Sequence, residues 1–67
     1  MSDMFDLETF ARRFRIAIAS ENLTQAEAAE KIGIVPSIVS RICAVKGRPN
    51  IETHARIEAW LEKVERR

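Results

Sequence analysis

Apolar residues recur at spacings of three and four through almost the whole chain, and the regular element with that period is the α-helix. The recurrence breaks at Glu21-Asn22, at Gly33 and across Gly47-Arg48-Pro49. No stretch shows the alternation of a half-buried strand, tyrosine is absent, and no Asn-Gly pair marks a hairpin. The expected fold is therefore all-α: one domain over residues 1–67, a compact bundle of four helices, or five. A chain of 67 residues buries little, and its single cysteine, Cys43, rules out a disulfide within the chain. Cys43 and His54 are too few soft ligands for a four-ligand zinc site. Tight helix packing or a second subunit must supply the missing stability.

Caps and breakers set the expected boundaries. The first helix runs from Leu7 to Ser20, with Asp6 as N-cap and Leu7, Phe10, Ala11, Phe14, Ala17 and Ile18 as its buried face. Arg12, Arg13 and Arg15 fall largely off that face and are expected to be solvated. The second opens on Thr24-Gln25-Ala26-Glu27, the spacing of a capping box. Its apolar face, Ala28, Ala29 and Ile32, is small enough for another helix to come close. Gly33 ends it in the left-handed conformation. The third begins at Pro36, whose missing amide suits a first turn, and is expected to reach Ala44 or Val45. Ser37, Ser40, Arg41 and Ala44 share one side of that helix; Ile38, Val39, Ile42, Cys43 and Val45 share the other. Asn50 caps a fourth helix, whose stripe is Ile51, His54, Ile57, Leu61 and Val64 with Trp60 beside it. Cys43 reads as a small buried hydrophobe and His54 as a core or rim histidine.

Net charge is +1, from 11 Lys and Arg against 10 Asp and Glu. The distribution is uneven. Lys31, Arg41, Lys46 and Arg48 lie between residues 31 and 51, an interval with no acid, and the remaining seven basic residues face all ten acids. A local basic segment on a balanced chain fits a one-sided footprint for a polyanion. One histidine, one cysteine and no glycine-rich phosphate loop form no catalytic constellation, so neither an enzyme nor a cofactor is expected. The longest uncharged stretch, Ile32 to Ser40, is nine residues, against about 20 for a membrane span. The acidic start, MSDMFDLE, is unlike the basic start of a secretory signal, and with the lone thiol it points to the cytoplasm.

Two short helices joined at Gly33, the second polar on its outer side, form a helix-turn-helix pattern. The segment QAEAAEKIGIVPSIVSRI resembles the lambda-repressor and Cro-like family, also called Xre-type. Gln25 starts the second helix, Ala29 sits at the tight contact, Gly33 makes the turn, and Ile34, Val39 and Ile42 fill the buried slots. The flanks agree: a first helix running into ENLTQ and a following RPNIETHARIEAWL, so that the resemblance covers about residues 7 to 61.

The resemblance implies a sequence-specific DNA-binding regulator, a dimeric repressor that places helix 36–45 in the major groove of an operator. Base edges would be met from Pro36, Ser37 and Arg41, with Ser40 adjacent. Gln25 would meet a phosphate at the N-terminus of the second helix, and Lys46 and Arg48 would follow the backbone. The chain departs from the family's pattern at Val35 and Pro36, where many relatives carry a polar N-cap and a glutamine, so those two offer only apolar contacts. Some relatives also pair an arginine of helix one with a glutamate ending the recognition helix. Ile18 and Cys43 stand at those places, and an apolar contact is expected there. The alternative is a protein-interaction module on the same scaffold, of antitoxin or antirepressor type, for which Val35 and Ile38 supply apolar surface. A homodimer is expected through Ile57, Trp60, Leu61 and Val64 of the fourth helix.

Overall fold

The computed structural model describes residues 6–66. Among them are four helices and no strand: α1 Leu7–Ser20, α2 Gln25–Ile32, α3 Pro36–Cys43 and α4 Ile51–Glu65. α2 packs closely on α3, α1 packs on both α3 and α4, and α2 touches α4 more lightly. Ala28 and Ala29 have no exposed surface, and their short side chains are what let α3 approach. Phe14, Val39, Ile42, Ile57 and Leu61 fill the centre, with Phe10, Ala11, Ala17, Ile18, Ile32, Cys43 and Val64 around them. No helix among the described residues is long and apolar enough to cross a membrane.

Side chains start three of the helices. Asp6 Oδ1 accepts from the Glu8 and Thr9 amides at 3.1 and 3.3 Å, and the Thr9 hydroxyl donates to Asp6 Oδ2 at 2.7 Å. In the capping box, Thr24 Oγ1 accepts the Glu27 amide at 3.0 Å and Glu27 Oε1 accepts the Thr24 amide at 2.8 Å. Asn50 Oδ1 accepts the Thr53 amide at 2.7 Å.

One left-handed residue stops each of the first three helices. After α1 it is Asn22 (φ +58°), and the Asn22 and Leu23 amides donate to the Ala19 and Ile18 carbonyls, both at 3.0 Å. After α2 it is Gly33 (φ +88°), where the Gly33 and Ile34 amides share the Ala29 carbonyl at 2.8 and 3.0 Å. After α3 it is Val45 (φ +57°), with the Val45 and Lys46 amides on the Ile42 and Arg41 carbonyls, both at 2.9 Å. The turn satisfies carbonyls that a helix end would leave unpaired. It also explains why α3 ends at Cys43 rather than at Ala44 or Val45: the reversal swings Val45 off the helical wheel, and its side chain stands 37% exposed instead of buried.

Three further expectations are corrected. Ile51 does not join the stripe of α4; it is 90% exposed, and Thr53, about 200° away around the helix, is buried in its stead. Ile57 and Leu61 have no exposed surface, so they belong to this chain's own core and give a second copy nothing to touch. Arg13 is not simply solvated. Its Nε and Nη2 each donate to Glu65 at 3.1 Å, and its Nη1 and Nη2 reach Glu58 at 3.3 and 3.4 Å, which latches α1 to α4. Glu58 also lies 3.5 Å from His54 Nε2, and the His54 ring rests on Phe10 at 4.8 Å.

The Arg13 guanidinium holds the Glu65 carboxyl below its ordinary value, and the Thr9 hydroxyl and amide do the same for Asp6. A carboxyl lowered on folding stabilises the folded state above its unfolded value, about pH 4, and that contribution is lost as pH falls through the folded value. Stability should therefore decline below about pH 4, and the decline should be shallower in Arg13→Gln, as urea titrations at stepped pH would report. Gly33→Val should destabilise the fold by more than about 1 kcal/mol in thermal or urea unfolding. The new Cβ would meet only the movable Arg56 Nη1, at 3.4 Å, so the loss comes from the backbone angle; an unchanged midpoint would contradict it.

Candidate nucleic-acid interface

α3 differs from the other helices at its start. Val35, its N-cap, offers no side-chain oxygen, and Pro36 follows at the first position without an amide. The Ile38 amide turns back to the Val35 carbonyl at 3.0 Å. The buried side of α3 is Val39, Ile42 and Cys43; Pro36, Ser37, Ser40, Arg41 and Ala44 are exposed. The helix wheel read from the sequence is thus correct for this outer face.

The linker after α3 brings more cationic side chains to the same end. Lys46 and Arg48 are exposed. The Arg41 guanidinium lies against Gly47: a Cβ built there would sit 3.4 Å from Nη2, 3.7 Å from Nε and 3.8 Å from Cζ. Arg41 and Arg48 line one groove of about 290 Å³, with Ile38, Gly47, Asn50 and Thr53 among the other walls and no acid in its lining.

Two further polar residues lie outside this groove. Gln25 is exposed in the first turn of α2 and does not line the groove; Thr24 and Glu27 make the capping box without it. Lys31, counted with the basic segment in sequence, faces a separate cleft of about 220 Å³ between α2 and α4, beside Arg56, Trp60 and Lys63. Chain proximity grouped Lys31 with Arg41; the turn at Gly33 parts them.

The structure adds a residue that reading along the chain missed. Arg15 Nη1 donates to the Cys43 carbonyl at 2.7 Å, fastening the last turn of α3 to α1. A cation at a helix C-terminus also suits the end of the macrodipole. Ile18 and Cys43 are both buried, and Arg15 makes its attachment through the backbone, which no side-chain pattern encodes. Burial raises the Cys43 thiol above its ordinary value, and the nearby Arg15 charge only partly opposes this. Among the described residues, no three His, Cys, Asp or Glu side chains are placed to hold a metal ion together.

No protein-family model matches the chain, and neither a curated protein nor a solved structure does.

Removing the α1 anchor should loosen the linker as well as the helix. Arg15→Met should destabilise the fold by about 1 kcal/mol and speed hydrogen exchange at the Val45 and Lys46 amides, measured by NMR. Exchange unchanged at those two amides would show that Arg15 does not hold this end of α3.

Proposed function

We propose that this chain is a sequence-specific DNA-binding regulator of the helix-turn-helix type, acting as a repressor that lays α3 in the major groove. The observation that carries the reading is the composition of one surface. Ser37, Ser40 and Arg41 stand outward on a short helix, and Lys46 and Arg48 stand exposed immediately after it. A helix fits the major groove, hydroxyls and a guanidinium read base edges, and loop cations meet phosphates. The resemblance of residues 24 to 42 to the lambda-repressor and Cro-like family points the same way, and by it Gln25 would add a phosphate contact and Pro36 an apolar one. We propose that two copies bind one operator, through a surface other than Ile57 and Leu61.

One observation favours a second reading, a protein-interaction module of antitoxin or antirepressor type. Val35 is 56% exposed and, with Ile34 and Ile38, forms the apolar wall of a cleft of about 230 Å³ whose other wall carries Glu52, Thr53 and Arg56, a mixed surface that a protein partner would cover.

Selection of binding sites from random duplexes at fixed salt separates the two: an enriched motif supports the regulator, and no enrichment moves the weight to the module. Substitutions then divide the surface. Arg41→Ala should weaken the best site by about 1–3 kcal/mol and relax preference at one base pair, most simply a guanine read through O6 and N7. Lys46→Ala should weaken all duplexes alike and lower the salt slope by about one unit. Lys31→Ala, on the other cleft, should change neither. Equal weakening of every duplex by Arg41→Ala would make Arg41 a phosphate contact.

A further inference from the structure

Three helices end on a left-handed residue, and the chain treats the third unlike the first two. Asn22 and Gly33 are the residue types that tolerate that conformation. Val45 is not: its branched Cβ crowds the backbone at φ +57°, so the position is strained where glycine or asparagine would relax it. The turn's own hydrogen bonds hold Val45 in this conformation, but among the described residues nothing in the turn calls for valine in place of glycine or asparagine. Val45 lies outside the buried core, and the residue is 37% exposed. Its amide bond to the Ile42 carbonyl would be made by any residue there except proline.

The strained residue also has a telling position. It lies between α3, which carries Ser40 and Arg41, and the exposed cations Lys46 and Arg48. Strained residues that the surrounding structure holds in place gather at binding sites, where the residue type is kept for what it contacts. From these observations we infer that Val45 is itself a DNA-contact residue. Its isopropyl group packs on the deoxyribose face of the strand whose phosphates Lys46 and Arg48 hold. This rests on the DNA-binding reading above and adds to it a contact made of shape and apolar surface. Charge plays no part in it.

The test uses the full chain and reads folding and binding separately. Val45→Gly and Val45→Asn should both raise the melting temperature, by roughly 4–8 °C for a domain of this size. Both should also weaken binding to duplex DNA by roughly tenfold, the loss expected for a few buried methyl-sized groups. The loss should be the same on matched and mismatched duplexes, and the salt slope should not change, because no phosphate contact is removed. Val45→Ile keeps the branch and the strain, and it should keep the affinity. A raised melting temperature with unchanged affinity would overturn the inference, showing strain with no function. A lowered melting temperature would also overturn it, by making Val45 a structural residue. A parent chain that binds no duplex at any salt concentration sinks the DNA reading and this inference together, whereas a parent that binds while the variants bind equally well sinks the inference alone.

Discussion

Abrupt helix endings are what the rest of this structure depends on. A linker of two to four residues can reverse the chain only if the helix stops within a single turn. A left-handed residue does that while keeping the terminal carbonyls paired. Short linkers at Asn22 and Gly33 keep α1, α2 and α3 in close succession, and the alanines of α2 then decide how near α3 can come. With α3 held from behind by Val39, Ile42 and Cys43, its other side faces solvent. The exposed polar face therefore follows from where the helices stop and what lies behind them.

Electrostatics fasten what the core has placed. Arg13 and Arg15 are two residues apart on α1, and they serve opposite ends of the packing. Arg13 latches α4 through Glu58 and Glu65, and Arg15 anchors the end of α3 through a carbonyl. The Arg13 pairs are partly exposed, and solvent screening keeps each of them individually weak. Their effect is on geometry: residues 45 to 52 apart in sequence are held together at the surface, over a core that already fits.

Much of the fold was legible from local rules. The cap at Asp6, the box at Thr24 and Glu27, the stop at Gly33, the first-turn proline at Pro36 and the cap at Asn50 each depend on a few adjacent residues, and all stand where the sequence places them. The differences between sequence and structure have separate physical causes. Val45 and Ile51 were assigned by extending a helical wheel past the place where the helix stops or sets its phase, and both proved exposed. The attachments of Arg13 and of the exposed Arg15 do not show in the sequence because their partners are far away in the chain. Ile57 and Leu61 looked like spare apolar surface because a sequence does not show how much of it one small core absorbs. Of the candidate site, the outward set Ser37, Ser40 and Arg41 follows from helical period alone. In the groove beside them, Arg48 follows from the basic linker, whereas Thr53 reaches the wall only through tertiary packing.

The division of labour within α3 makes its outer face an exchangeable cassette. The buried residues Val39, Ile42 and Cys43 that support the helix from behind are distinct from Ser37, Ser40 and Arg41 that it presents, and Ala28 and Ala29 of α2 have no exposed surface. A library that randomises positions 37, 40 and 41 would vary chemistry on a fixed platform. Each member would carry the same core, the same helix stop and the same Arg15 anchor. A scaffold of 67 residues arranged in this way can diversify what it touches with three codons while its folding problem stays the same.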